Sequence, residues 1–215
     1  MRDPSESISD DVLIAGIAAG AAASLTALFR RRQGDVYRFA LHMSGAAAIA
    51  EDVTQDVFLI VMRDAAKYQP GRSTVTAWLC GIARNCVRQR IDRDGRWESL
   101  DESDGDVQEQ LPAADADPLA ELTRAEYLEM LRRAVLALPV RYREAVVLCD
   151  LEELSYAEAA DALDCAIGTV RSRLHRARAM LAARVAAMQR RPAGVPGERP
   201  ATGSPAVVTH KRCMA

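Results

Sequence analysis

A chain of 215 residues holds one medium domain or two small ones, and with 49% hydrophobic but only 5% aromatic residues it favours helices over sheets. A formal net charge of −2 excludes a generic polycation, so any electrostatic function must come from charge segregated along the chain. Five cysteines without a CxxC pair, and histidines only at His42, His175 and His210, argue against a zinc site or disulfide framework; reduced thiols in a cytoplasm, with no metal or cofactor, are expected.

Residues 1–10 are expected to be disordered. Asp11–Arg31 is predicted as the first helix. Within it Val12–Phe29 runs eighteen residues without a charge, the length of a membrane span. The run is mostly Ala and Gly, however, and follows Asp3, Glu6, Asp10 and Asp11 where a secretory leader carries positive charge. Leu13, Ile14, Ile17, Ala21, Leu25 and Leu28 fall on one stripe, which favours a buried amphipathic helix and no membrane insertion. Gly34–Met43 is a second helix closed by Ser44-Gly45. Ala46–Lys67 is a long third helix with Val53, Val57 and Ile60 on one face. The loop Tyr68–Ser73 ends it with Pro and Gly, and Thr74–Arg93 is the fourth.

The character then changes. Between Trp97 and Pro118 stand eight carboxylates, two prolines and no Lys or Arg, a composition that buries no core and reads as a flexible acidic linker over 97–118. Helical periodicity returns in Leu119–Leu138, stops at Pro139, and resumes in Arg141–Asp150. Beyond residue 190 Pro, Gly, Ser and Thr predominate, so 191–215 is expected to be a disordered tail. The expected fold is all-α, with two small helical domains (11–96 and 119–190) joined by that linker.

The end of the second block carries the most specific local pattern. Ser155 and Glu158 have capping-box spacing, and Ala159, Ala160 and Leu163 give the following short helix an apolar face. Cys165-Ala166-Ile167-Gly168 is expected to form the turn. The next helix places Val170, Leu174, Ala177 and Leu181 on one face and leaves Arg171, Ser172, His175, Arg176 and Arg178 on others. Between Gly168 and Arg191 there are seven arginines and no carboxylate. A short helix, a tight turn and a basic helix with an apolar back is the pattern of a helix-turn-helix that reads the DNA major groove. A solvated basic helix would explain the arginines alone, but not the turn and both apolar faces in register.

Catalysis finds no support. There is no nucleophile–base pair or phosphate loop, and Asp52 with Asp56 on one helix turn is poor evidence for acid–base chemistry. A stand-alone helix-turn-helix regulator with a ligand-sensing first block remains the rival.

The two blocks together resemble the extracytoplasmic-function sigma factors, the small two-domain specificity subunits of bacterial RNA polymerase. The resemblance rests on Ala50-Glu51-Asp52-Val53-Thr54-Gln55-Asp56-Val57-Phe58, on Tyr68-Gln69-Pro70-Gly71-Arg72-Ser73, and on Ala77-Trp78-Leu79 leading into Ile82-Ala83-Arg84-Asn85. In the second block it rests on Leu138-Pro139, Arg143-Glu144-Ala145, Leu154-Ser155-Tyr156 and Gly168-Thr169-Val170-Arg171-Ser172-Arg173. Asp56 stands where the family usually has Glu, and Gln89 where it often has Asp.

The resemblance implies that Asp52, Gln55, Asp56 and Leu59 dock the clamp helices of the polymerase's largest subunit, the second domain meeting its flap. It implies that the loop and fourth helix handle the melted downstream (−10) strand. There Arg72, Arg84, Arg88, Arg90 and Arg93 supply backbone charge, Asn85 lies below the loop, and Tyr68 and Trp78 are stacking candidates, although Trp78 serves equally as core. Arg171, Ser172, His175 and Arg176 would contact the upstream (−35) element, with Arg173 and Arg178 on its backbone and Arg141 and Arg143 available to phosphate. The acidic linker either provides reach or threads the basic polymerase cleft. An anti-sigma protein is an implied partner alongside polymerase and promoter DNA. Cys80 and Cys86 read as packing residues, and Cys213 as the reactive thiol.

Overall fold

Ser9 caps the first helix, its hydroxyl accepting from the Val12 amide at 3.4 Å, with Asp10 and Asp11 placed in the first turn where the helix dipole favours them. The structure, a computed structural model, describes residues 8–93 and 124–190; the expected disordered ends, the acidic linker and Cys213 lie outside them. The regular elements of the described residues are helices: α1 (Asp10–Ala18), α2 (Ala22–Ser44), α3 (Ala47–Asp64), α4 (Val75–Arg93), α5 (Arg124–Leu136), α6 (Val140–Val146), α7 (Tyr156–Leu163) and α8 (Ile167–Arg190).

The break between the first two helices differs from expectation. It falls at Gly20, whose φ of +85° suits only a residue without a Cβ, and α2 then runs unbroken through Gly34. A Cβ at Gly34 would meet only the tip of Arg38, so that glycine costs some helix propensity but breaks nothing. Helix α2 ends on Gly45, also left-handed at φ +72°, whose amide donates to the Leu41 carbonyl at 2.8 Å. The apolar run is thus two packed helices, and among the described residues no helix is long and apolar enough to cross a membrane.

Helices α2, α3 and α4 form a bundle around Leu28, Phe39, Met43, Val53, Val57, Leu79 and Val87, with α1 laid against α2. The buried stripe of α3 is Val53, Val57 and Val61, while Ile60 is only half-buried. Asp10 fastens α1 to α2 through ion pairs to Arg31 (2.5 Å) and Arg32 (2.6 Å). After α3 one 3-10 turn (Ala65–Lys67) leads into the loop, and Thr74 caps α4 by accepting from the Ala77 amide. Cys80 and Cys86 are both buried in this core, as expected, and burial pushes the Cys80 thiol up to about 12.

In the second block α6 continues as a π-helical turn (Val147–Leu151), and α5, α6 and α7 pack on α8. The capping box is complete: the Ser155 hydroxyl accepts from the Glu158 amide while the Glu158 carboxylate accepts from the Ser155 amide. The turn that follows is Asp164–Ala166, one step earlier than predicted. Its left-handed residue is Asp164 (φ +51°), which short polar side chains tolerate, and Gly168 is already helical.

The two blocks are packed against each other. One apolar cluster runs from the first bundle into Val147, Leu148, Leu154, Ala159, Ala160, Ala162, Leu163 and Val170. Glycines at the seam let the backbones approach: a Cβ at Gly81 of α4 would lie 3.4 Å from the Ala162 carbonyl of α7, and one at Gly45 would lie 2.7 Å from Leu136.

Candidate functional site

Three surfaces carry the residues the sequence singles out. On α3, the apolar stripe turns Asp52, Gln55 and Leu59 outward, with Leu59 59% exposed and Asp56 half-exposed beside them. Met62, 55% exposed, extends this face by one turn; the sequence reading missed it, although it lies three residues beyond Leu59. The two carboxylates share a cation. Arg90 of α4 pairs with Asp52 at 2.9 Å and with Asp56. The hydrogen bond to Asp56 holds the Arg90 guanidinium above its ordinary range. Arg90, expected to supply charge to a DNA strand, is therefore spent within the first bundle.

The second surface is the loop and the face of α4 below it. Arg72 and Asn85 are exposed. Trp78 is half-buried, its ring 5.2 Å from that of Tyr68 and tilted by 50°. Tyr68 is only 7% exposed, so its ring is not presented as an open platform. Its hydroxyl points to Asp11 (2.6 Å) and to the Ser73 carbonyl (2.8 Å). Burial and the adjacent Asp11 push the phenol well above its ordinary pKa, so it stays protonated.

Arg84 and Arg88 meet a partner from the other block. Glu144 of α6 is fully buried, and its Oε1 receives Arg84 Nε at 2.7 Å with Arg88 Nε at 3.3 Å. Arg143 reinforces the seam by donating to the Met43 carbonyl at the end of α2 (2.7 Å) and to the Leu138 carbonyl (3.0 Å). Burial lowers its pKa, and it is not presented to a phosphate. Thr74 donates to the Glu158 carboxylate at 2.9 Å, and Glu152 lies 3.7 Å from His42 and 3.8 Å from Arg38. Between the loop and α7 lies a cleft lined by Arg72, Trp78, Arg84 and Asn85 on one wall and Asp161 and Asp164 on the other.

The third surface is α8. Val170, Leu174 and Ala177 are buried, Leu181 packs beside them, and Arg171, Ser172, His175 and Arg176 are exposed on the remaining faces. The Arg171 guanidinium stands over the Tyr156 ring at 5.6 Å. Arg178 is exposed but paired bidentately with Asp150 (2.6 and 3.1 Å), and Arg173 is half-buried. Exposed cations on the second helix of a capped helix-turn-helix, with an apolar back, can enter a major groove. Neither Glu144 nor Arg143 was singled out as a contact between blocks. A carboxylate four residues before the buried Leu148, on the apolar face of α6, was the available signal.

Comparison with known proteins identifies both blocks. Residues 28–97 match the family model described as "Sigma-70 region 2", and residues 128–181 match "Sigma-70, region 4". The chain is 40% identical over 156 residues to the "ECF RNA polymerase sigma factor SigE" of Mycolicibacterium smegmatis, covering 72% of this chain and 58% of that one. It is 31% identical over 194 residues to the "ECF RNA polymerase sigma-E factor" of Escherichia coli, covering 87% of this chain and all of that one. Among solved structures it is similar to CnrH in complex with the cytosolic domain of CnrY, with a TM-score of 0.62, 25% identity, and 84% and 99% of the two chains covered. It is also similar to the sigma factor RpoE of Bartonella quintana in complex with the anti-sigma factor NepR, with a TM-score of 0.54, 28% identity, and 72% and 91% covered. Two sigma-70 regions in order, and a relative matched along its entire length, have one reading: the chain belongs to the extracytoplasmic-function family of RNA polymerase sigma factors.

Proposed function

We propose that this sigma factor docks core RNA polymerase through the α3 face, captures the melted downstream promoter strand with the loop and α4, and reads the upstream element with α8. On this reading Asp52, Gln55, Asp56 and Leu59, extended by Met62, meet the polymerase. A helix face with an exposed apolar pair at one end and two carboxylates at the other suits docking on another helix surface. Arg72, Trp78, Arg84, Asn85 and Arg88 take the melted strand. Opening DNA without nucleotide hydrolysis requires binding energy to offset the few kcal/mol of unstacking a base, and a cationic loop beside an indole supplies it. Tyr68 serves this surface from behind rather than as a platform. Arg171, Ser172, His175 and Arg176 contact bases and Arg173 and Arg178 the backbone, Arg178 exchanging Asp150 for phosphate. The chain acts in the cytoplasm, without catalysis of its own.

The observation that carries the reading is the exposed set Arg171, Ser172, His175 and Arg176 on a helix whose back buries Val170, Leu174 and Ala177, in a chain that also presents the α3 face. An anti-sigma protein is the proposed regulator, by likeness to the RpoE–NepR complex. Run-off transcription tests the proposal. Core bacterial polymerase with the chain, on a pool of genomic fragments, is expected to give discrete transcripts downstream of a shared two-part motif absent with core alone. Specific duplex binding without any transcript would instead identify a stand-alone regulator.

A further inference from the structure

The loop assigned above to the melted strand begins at Tyr68 and ends at Ser73, and the structure ties these two residues together. The Tyr68 hydroxyl lies 2.8 Å from the Ser73 carbonyl oxygen, across the base of the loop. The same hydroxyl lies 2.6 Å from a carboxylate oxygen of Asp11, on the first turn of α1. A phenol has one proton and both neighbours can only accept, so the two acceptors share a single donor. The ring cannot swing away, because it is buried and packed on Trp78. Asp11 is itself immobilised: α1 buries Leu13, Ile14 and Ile17 and is clamped to α2 by Asp10 through Arg31 and Arg32.

Above this base, among the described residues, the loop is held by backbone contacts. The Arg72 amide donates to the Gln69 carbonyl at 3.3 Å, and Gly71 takes φ +84°. Gln69, Pro70, Gly71 and Arg72 are exposed, so their placement is inherited from the two ends of the loop. A helix outside the strand-binding surface thus reaches it through the Tyr68 hydroxyl, in addition to packing on the 3-10 turn that precedes the loop. Asp10–Ala18 also precedes residue 28, where the match to sigma-70 region 2 begins.

We propose that Asp11 is a positioning residue for downstream-element recognition, acting through the Tyr68 hydroxyl to set the shape of loop 69–72 and hence which base it accepts. This rests on the reading that the loop takes the melted strand. A charged acceptor 2.6 Å from the hydroxyl, backed by an anchored helix, holds the loop base more firmly than the backbone carbonyl alone. Loosening that base is expected to cost selectivity as well as affinity, because a mobile loop presents its pocket to several bases equally.

The test uses the full chain bound to core polymerase and a labelled single-stranded oligonucleotide carrying the downstream motif found by run-off transcription, together with its single-base variants. Tyr68→Phe, which keeps the ring, and Asp11→Ala are each expected to weaken cognate binding about tenfold and to narrow the spread of affinities among the variants. The double substitution is expected to be no worse than either alone. Asp11→Asn, whose amide oxygen still accepts but carries no charge, is expected to fall between Asp11→Ala and the natural chain. Upstream duplex binding and core association should not change. Cognate affinity and selectivity within twofold of the natural chain for both Tyr68→Phe and Asp11→Ala would overturn the inference, as would a uniform loss that leaves the spread intact. Arg72→Ala separates the two levels. If it weakens strand binding while Tyr68→Phe and Asp11→Ala do not, only the positioning role falls. If it too has no effect, the loop is not the reader and the underlying assignment falls with it.

Discussion

Arg171, Arg176 and Arg178 lie along one helix but start from different states. Arg178 already has two hydrogen bonds to Asp150, so binding phosphate means trading one anion for another. Arg171 rests over an aromatic face, which orients the guanidinium and leaves its edge donors available. The double substitution Arg171→Ala with Arg176→Ala is expected to weaken upstream duplex binding by roughly 100-fold, since each good bidentate base contact is worth about 1–3 kcal/mol. Arg178→Ala should cost less and change mainly the salt slope, and core association should survive both. Fluorescence anisotropy across a salt series checks this. The residue scale is also where the sequence misleads. Arg90 looks like another strand-facing cation, but its partners Asp52 and Asp56 lie 38 and 34 residues away, and no local spacing announces such a pairing.

Among the elements, α7 was readable in advance because its start is encoded within four residues. Ser155 and Glu158 form the box that their spacing predicts, and Ser155→Ala is expected to lower stability by about 1 kcal/mol. Glu158 adds a pH dependence. Its hydrogen bonds from Ser155, with a further one from Thr74, favour the charged form and hold its carboxyl below the ordinary 4.5. A lowered folded pKa means that this stabilisation is complete above that value and is lost as pH falls through the lowered one. Denaturant melts in the acid range should show that loss in the natural chain and not in Glu158→Gln. The first two helices were less legible. A charge-free run containing two glycines looks the same whether the break falls at Gly20 or after Arg31. Only the left-handed backbone at Gly20 and the open space around Gly34 decide it, and both are properties of the folded chain. The helix-turn-helix turn begins one residue earlier than Cys165-Ala166-Ile167-Gly168 for a similar reason, since Asp164 takes a left-handed backbone that only the folded chain reveals.

For the molecule as a whole, the helical class and both blocks followed from composition and periodicity, but the packing of one block on the other did not. It depends on Glu144, which reads locally as an ordinary helix carboxylate and is buried only because Arg84 and Arg88 approach it from 60 and 56 residues away. On the proposed function this arrangement is a resting form. Elements centred about 35 and about 10 base pairs before the start lie about 25 base pairs apart, more than two duplex turns at about 10.5 base pairs each, so the blocks are expected to separate to reach both, Arg84 and Arg88 exchanging Glu144 for DNA. Glu144→Gln keeps the shape and removes the charge. Breaking a buried ion pair costs about 3 kcal/mol or more, so this variant should show a larger radius of gyration in solution scattering and tighter binding of the downstream single strand by the free chain. An unchanged radius would mean that apolar packing alone holds the blocks together.

That apolar packing has a consequence of its own. The cluster joining the first bundle to Val147, Leu148, Leu154 and Leu163 leaves contact when the blocks part, and newly hydrated hydrocarbon raises heat capacity. Loading onto a promoter complex should therefore carry a positive heat-capacity contribution, opposing the negative one that ordinary docking produces. Because burial of hydrocarbon weakens on cooling, the separated form should gain ground at low temperature. Scattering on the free chain from warm to cold would register that gain as slow expansion well before either block unfolds, making the seam between the blocks a thermometer as well as a latch.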